Sequence, residues 1–117
     1  MDKDKIILHC MRKKLWEERK NKDSWGQKDN DLFGFIHCST IDNIYLVTPN
    51  WKDIDDKLVL LCIDTEKLDA KVVYEDLDGY GTKYPHIYGL VNNDAVIKVL
   101  PYNKDSEGKW IRNPELE

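Results

Sequence analysis

The sequence predicts a single α+β domain with a small mixed β-sheet and two or three short helices. Apolar runs of strand length recur along the chain, and short segments of helical spacing separate some of them. Residues 58–63 are apolar at every position, as a central strand covered on both faces requires. The 117 residues fit one domain, and no repeat, low-complexity segment or linker divides them. We therefore expect one domain over residues 1–117.

Two strands and one helix are predicted in the first third of the chain. Residues 6–10 form an apolar run typical of a strand, and a helical face that starts at Met11 predicts a short helix over residues 12–20. Residues 20–30 are polar and predict a loop that is long enough to act as a lid. The apolar run over residues 33–38 then predicts the second strand.

A capped helix is expected directly after this second strand. Ser39 precedes Asp42 by three residues, which is the spacing of a capping box. Pro49 must end the short helix that this box opens, because proline cannot donate a helical hydrogen bond.

The second half of the chain contains the remaining predicted strands. Residues 71–75 alternate between two faces, and residues 84–89 should be extended because a residue before proline avoids the helical region. Residues 94–100 predict the last strand, which Pro101 should end. A hairpin turn over residues 104–108 and a polar tail from Arg112 complete the prediction.

Charge and hydropathy exclude several classes of partner. The net charge is −4 and both signs are mixed along the chain, so no basic surface is expected that would bind a long nucleic acid. A small anionic ligand stays compatible with one local pocket of donors. No apolar run approaches the roughly 18 residues of a membrane span, and residues 2–5 lack the apolar region of a signal peptide. We expect a cytoplasmic protein.

The three cysteines predict buried free thiols. Their number is odd, no two are spaced as C-x-x-C, and each lies in an apolar run typical of a strand. A disulfide is the alternative interpretation. The residues concerned are Cys10, Cys38 and Cys62.

The three histidines are the main candidates for a functional site. His9, His37 and His86 each lie beside a predicted strand, and histidine serves as acid, base, hydrogen-bond donor or metal ligand near neutral pH. The alternative for each is a packed core residue whose ring nitrogens are satisfied.

His37 has the strongest physical argument of the three. It ends a predicted strand just where Ser39 and Thr40 should open a helix, whose free N–H groups would favour a phosphate or a carboxylate. If Ser39 only caps that helix, His37 simply packs.

His86 and Glu75 define a second candidate region. Tyr84 and Tyr88 flank His86 and suggest a rigid aromatic edge on which a flat ring could stack, although a structural turn with core tyrosines explains the same pattern. Glu75 ends a predicted strand as a lone acid, and it either polarises a sugar hydroxyl or faces water.

Metal and thiol chemistry are weaker interpretations. The pairs His9-Cys10 and His37-Cys38 contain zinc ligands, but adjacent strand residues point to opposite faces, so each pair offers one ligand to a common site. No metal site is therefore predicted. Cys38 as a nucleophile lacks an ordered Cys-His-Asn set in the sequence.

Several segments together resemble a known family. They are residues 34–40, residues 58–64, the Tyr84–Gly89 segment, residues 94–96, and His9 followed seven residues later by Trp16. These segments are similar to a family of small bacterial domains labelled only as a domain of unknown function, number nine hundred fifty-two. The resemblance covers nearly the whole chain.

That family is similar in strand order to the ADP-ribosyltransferase-like superfamily. The resemblance implies a split sheet whose cleft holds NAD or an ADP-ribose-like ligand, with His9 helping to hold it and a second histidine in the strand that contains His37. Within that superfamily the resemblance is especially to the RNA 2′-phosphotransferase branch, from which these histidine roles are taken. Leu8 and Leu90 depart from the pattern of that branch, where Tyr and Pro are usual.

Two hypotheses about function follow. In the first, the cleft binds a nucleotide or an NAD-derived small molecule, with His37, His86 and Glu75 as the reacting groups and His9, Ser39, Thr40 and Tyr88 as binding residues. In the second, the domain is a non-catalytic interaction or regulatory module. Convergence of the three histidines on one cleft would favour the first.

Overall fold

The computed structural model describes residues 2–47 and 57–116, and all structural statements refer to these residues. They form ten strands and three short α-helices, with 3-10 turns at Asn93–Ala95 and Pro114–Leu116. In chain order the elements are β1 (Ile6–Arg12), α1 (Lys13–Arg19), β2 (Ser24–Trp25), α2 (Gln27–Phe33), β3 (Ile36–His37), β4 (Ser39–Thr40), α3 (Ile44–Val47), β5 (Leu58–Asp64), β6 (Lys71–Glu75), β7 (Tyr84–Tyr88), β8 (Val91–Asn92), β9 (Val96–Lys104) and β10 (Trp110–Ile111).

The largest sheet has five strands in the order β10-β9-β5-β1-β4. β5 lies in the middle, and six of its seven residues are buried because both of its faces are covered. β1 pairs with β5 along its whole length, from Ile6 opposite Asp64 to Arg12 opposite Leu58. The predicted central strand is therefore confirmed.

The sheet is split at Cys38. β3 pairs with β7 in a three-stranded sheet of order β3-β7-β6, whereas β4 pairs with β1 in the large sheet, and Cys38 separates β3 from β4. A third, two-stranded sheet joins β2 to β8. The α+β class is confirmed. A mixed sheet was expected, whereas the pairings between the described strands are antiparallel.

Two apolar cores lie on opposite sides of the large sheet. Because strand residues alternate between faces, Ile7 and Met11 of β1 enter one core and Ile6 and Leu8 enter the other. The first core lies against the smaller sheets, which contribute Ile36, Ile87, Trp25 and Val91. The second core is closed by Ile41, Ile44 and Leu116.

The predicted loop over residues 20–30 is wrong, because this stretch contains β2 and most of α2. α2 has no buried residue, so it lacks the apolar spacing that predicts a helix. Its ends are set by left-handed glycines, Gly26 at φ 111° and Gly34 at φ 83°. Because α2 extends to Phe33, the predicted strand over residues 33–38 is reduced to β3 and its continuation β4.

The predicted capping box is displaced by one residue. Thr40 Oγ1, rather than Ser39 Oγ, accepts the backbone N–H of Asn43 at 3.1 Å. Ser39 is instead a strand residue of β4, paired with Leu8. The predicted helix end at Pro49 lies outside the described residues.

The last long strand does not end at Pro101. β9 instead continues to Lys104. The carbonyl of Pro101 points toward Asn113, whose Nδ2 donates a hydrogen bond to it at 3.1 Å. The N and C=O of one strand residue point to the same side, so the missing N–H of Pro101 faces away from β5 and interrupts no ladder bond there.

The C-terminal residues are packed rather than a free polar tail. The predicted hairpin turn is confirmed: Asp105 accepts the N–H of Lys109 at 2.9 Å, and Gly108 adopts φ 80°. Beyond β10, Arg112 donates to the carbonyl of Ile41 at 2.9 Å, and Leu116 is buried in the second core.

Candidate functional site

A cleft of about 580 Å³ lies beside the point where the sheet splits. β1 lines one side of it, β6 and β7 line another, and the segment that joins β3 to β4 runs between them. The three histidines all line this one cleft, which was the arrangement that the first functional hypothesis required. The lining residues are Leu8, His9, Cys10, Phe35, His37, Cys38, Ser39, Ile44, Val47, Glu75, Asp76, Leu77, Asp78, Tyr80, Tyr84 and His86.

His9 lies where β1 parts from the β3–β4 segment. β1 and β4 pair as far as Leu8 and Ser39. At the next residue, a side-chain hydrogen bond takes the place of a backbone one: His9 Nδ1 donates to the carbonyl of His37 at 2.6 Å. A carbonyl only accepts, so Nδ1 carries the hydrogen and Nε2 is left as an acceptor. Burial lowers the pKa of His9, which keeps the ring neutral at pH 7.

His86 is the most enclosed of the three rings. It is 5% exposed, and Phe35 stacks on it with ring centroids 4.1 Å apart. Tyr84, His86 and Tyr88 share one face of β7 because strand side chains alternate, and Glu75 reaches the same face from β6. His86 Nδ1 lies 3.0 Å from Glu75 Oε1.

One carboxylate oxygen of Glu75 accepts hydrogen bonds from two neighbouring side chains. Oε1 accepts the hydroxyl of Tyr88 as well as His86 Nδ1–H. These bonds lower the pKa of Glu75, the Tyr88 bond contributing most, so the carboxyl is ionised at pH 7. Among the described residues, neither Glu75 Oε2 nor His86 Nε2 has a hydrogen-bond partner. Each of these two atoms is available to a ligand.

His37 faces His86 across the β3–β7 pair. The two residues are directly opposite in register, and their ring centroids are 5.6 Å apart at an interplanar angle of 70°. Phe33 and Phe35 pack against the His37 ring at 4.9 and 4.7 Å. Burial, and secondly the neighbouring His86, lower the pKa of His37. The ring is exposed on its outer side and neutral at pH 7.

The expected helix terminus beside His37 is absent. α3 begins at Ile44, seven residues further on, and the N–H of Cys38 donates to the carbonyl of Pro85 at 3.1 Å. No free N–H groups of a helix N-terminus therefore favour an anion beside His37, because the chain continues as a strand through β4.

The remaining predicted residues divide into two groups. Ser39 lines the cleft at 3% exposure, and its Oγ is a buried polar atom without a hydrogen-bond partner in the described structure. Thr40 does not line the cleft. Its hydroxyl accepts the backbone N–H of Asn43. Tyr88 is not among the lining residues and contacts Glu75 and Phe35.

The sequence patterns did not indicate Phe35 or the loop after β6 as parts of the site. The apolar run over residues 33–38 predicts only a strand position for Phe35, yet its ring contacts His37, His86 and Tyr88. No sequence signal indicates a role for Asp78 and Tyr80, and the structure places both at the cleft. The alternation of Phe35 with His37 was the one sequence signal that placed the two on one strand face.

The cysteines are free thiols, as predicted. Burial raises the pKa of Cys10 to about 12 and that of Cys62 to about 11, and it raises the pKa of Cys38 further. All three are thus protonated at pH 7, whereas a nucleophile or a zinc ligand must be a thiolate. Within residues 2–47 and 57–116, no group of three or more His, Cys, Asp or Glu side chains is arranged to hold a metal ion.

The fold and the site define a small α+β domain with a split antiparallel sheet and a cleft lined by histidines. The family model described as "Protein of unknown function (DUF952)" matches residues 10–99, so this chain belongs to that family, as the resemblance predicted. The match includes His37, Glu75, His86 and Tyr88 and begins one residue after His9.

Solved structures of one bacterial protein share the fold. The crystal structure of CC0527 from Caulobacter crescentus is 23% identical to this chain, with a TM-score of 0.80, and covers 95% of this chain and 97% of that one. Its solution NMR structure is 24% identical, with a TM-score of 0.74 and coverage of 89% and 90%. No curated protein matches the chain. In the described residues, no helix has the length and apolar character needed to cross a membrane.

Proposed function

We propose that the cleft binds a small molecule of the nucleoside or NAD-derived class, and that Nε2 of His86 accepts a hydrogen bond from one of its hydroxyl groups. The observation that best supports this is the hydrogen-bond chain from Tyr88 through Glu75 to His86, which ends at the cleft. Similarity to the ADP-ribosyltransferase-like superfamily is part of the proposal.

The chemistry follows from the position of one proton. Because Glu75 accepts Nδ1–H, a His86 ring without a hydrogen on Nε2 presents the lone pair of that atom to the cleft. A carboxylate that orients a histidine also stabilises the imidazolium formed when Nε2 takes up a proton. Glu75 Oε2 accepts a second ligand hydroxyl, an arrangement suited to the adjacent hydroxyls of a ribose.

The other cleft residues suit the rest of such a ligand. Phe35, Tyr80 and Tyr84 supply aromatic surface for a flat heterocycle. Ser39 Oγ and His9 Nε2 supply further polar contacts at the inner end. His9 also fixes the backbone of His37, so it positions the strand that forms the cleft wall.

A second candidate function is the binding of a protein partner without catalysis. Leu77, Tyr80 and Phe33 are 60%, 87% and 55% exposed near the cleft. Large apolar side chains exposed together are typical of interaction sites. The same experiment separates the two candidates.

The test is an NMR titration of the imidazole signals with adenosine and with ADP-ribose at millimolar concentration. We expect shifts at His37 and His86 that saturate. Glu75→Gln, which removes the charge that orients His86, should weaken binding at least about tenfold. Glu107→Gln is the matched control, since Glu107 lies in the hairpin turn far along the chain from the cleft residues and outside the cleft lining. Silence at all three histidines would overturn the proposal and favour partner binding.

Ser39→Ala gives an independent readout of the same site. The substitution removes a buried hydroxyl that has no partner, so the free energy of unfolding should change by less than about 0.5 kcal/mol. Ligand binding should nevertheless weaken. A variant that loses stability by more than about 1 kcal/mol would mean that the hydroxyl serves the fold instead.

A further inference from the structure

We infer that the cleft selects ligands without phosphate groups, that is, neutral or singly positive nucleosides rather than nucleotides. This inference rests on the proposed function and specifies its ligand class. It follows from two observations on the cleft: the sign of its charges and the kind of hydrogen-bonding atoms that it leaves unpaired.

The charged residues at the cleft are acidic. Glu75, Asp76 and Asp78 line it, and none of the described lining residues is Lys or Arg. Phosphate sites in proteins rely on Arg, on Lys or on a run of backbone N–H groups. Residues 48–56, which lie outside the described part, contain one lysine and three aspartates, so their sequence adds no net positive charge.

The two aspartates differ in how they are held. Both carboxylate oxygens of Asp76 accept backbone N–H groups, from Tyr80 at 3.0 Å and Gly81 at 2.7 Å, so its charge is fixed within the loop. Asp78 forms no side-chain hydrogen bond with the described residues, and its charge acts on the nearby His37. The negative charge of Asp78 is therefore not offset by hydrogen bonds from the described residues, and it repels an incoming anion.

Two polar atoms of the cleft without a partner among the described residues can only accept a hydrogen bond. Nε2 of His9 carries a lone pair, because burial keeps this ring neutral and its Nδ1–H is bonded to the carbonyl of His37. Glu75 Oε2 is a carboxylate oxygen and only accepts. Ribose hydroxyls and the N–H groups of a base donate to such atoms, whereas a phosphate dianion offers only acceptors. Pairing acceptor with acceptor leaves both groups desolvated and unsatisfied.

The pyrophosphate of an NAD-type ligand consequently does not fit the described cleft residues, although a nucleoside half does. A ligand of that type would leave its phosphates in solvent. The heterocycle and the ribose are the parts that the aromatic surface and these acceptors recognise.

The test compares matched pairs of probes by isothermal titration calorimetry at pH 7.5 or so and low salt. The pairs are adenosine with adenosine 5′-monophosphate, and nicotinamide riboside with nicotinamide mononucleotide. We expect each nucleoside to bind at least about tenfold more tightly than its monophosphate, with the ratio falling as salt is added.

Asp78→Asn should reduce that ratio by about threefold, because it removes the uncompensated charge. Asp94→Asn is the matched control: Asp94 is exposed, lies outside the cleft and loses the same charge, so the ratio should not change. Monophosphates that bind as tightly as the nucleosides, or an Asp78→Asn ratio equal to that of the wild type, would overturn the charge inference alone. Absence of binding by all four probes would overturn the proposed function and the inference with it.

Discussion

Glu75 Oε1 is the atom through which three side chains of the candidate site act together. The Tyr88 hydroxyl and His86 Nδ1–H both donate to it, from the same face of β7. Because both donors share Oε1, Oε2 of Glu75 accepts no hydrogen bond from the described residues. The bond to Oε1 also fixes Nδ1 as a nitrogen of His86 that carries hydrogen. Tyr88 therefore holds the carboxylate of Glu75 without itself lining the cleft.

Removal of the Tyr88 hydroxyl should raise the pKa of Glu75. In the folded protein this pKa lies below its ordinary value of 4.5, and the Tyr88 bond is the largest cause. A depressed carboxyl pKa contributes stability that is present above the ordinary value and is lost as pH falls through the folded-state value. Tyr88→Phe should thus titrate Glu75 at higher pH, as measured by carboxyl ¹³C shifts, and lose less stability than the wild type below about pH 4.5.

Tyr74→Phe is the control for this measurement. Tyr74 is a partly exposed tyrosine on the same sheet that does not bond to Glu75. An unchanged Glu75 titration in Tyr88→Phe would contradict the proposed role of the hydroxyl.

At the scale of single elements, α2 shows where sequence patterns fail. Strands β1, β5 and β6 could be predicted because their apolar residues follow the period of a strand or fill both faces. α2 buries no side chain and is defined instead by its ends, where Gly26 and Gly34 adopt positive φ, and by Asn30, whose side chain bonds Gly26 and Gly89. The hydrogen bonds between Asn30 and Gly89 join residues 59 positions apart, which no local pattern reports.

The two glycines should respond differently to alanine. At Gly34 an added Cβ meets no atom within 4 Å, so Gly34→Ala adds only backbone strain of about 1 kcal/mol. At Gly26 the same strain is joined by a collision with the side chain of Ile36, which is fully buried and cannot move freely. Gly26→Ala should therefore lower the free energy of unfolding by at least about 2 kcal/mol in urea titrations. Equal losses in the two variants would show that Ile36 adapts without cost.

At the scale of the whole molecule, the cleft arises from long-range pairing. Its histidines come from β1, β3 and β7, and they meet only because β3 pairs with β7 while the next residues, in β4, pair with β1. The sequence identified five of the residues that line the cleft, namely His9, His37, Ser39, Glu75 and His86. It could not show that Phe35 and Asp78 join them or that Thr40 does not, because these outcomes depend on where the sheet divides.

The C-terminal residues should contribute to global stability rather than to a local tail. Leu116 is 1% exposed in the core that also contains Leu8 and Ile41, so it closes the face of the large sheet opposite the smaller sheets. Leu116→Ala leaves a cavity there and should lower the free energy of unfolding by about 2–4 kcal/mol. Ile111→Ala is the control, because Ile111 is 49% exposed and should cost less than about 1 kcal/mol. Both values come from two-state chemical unfolding monitored by tryptophan fluorescence. If Leu116→Ala lowers the free energy of unfolding no more than Ile111→Ala does, the segment after β10 does not stabilise the second core. The residues before that segment would then be sufficient to close the core.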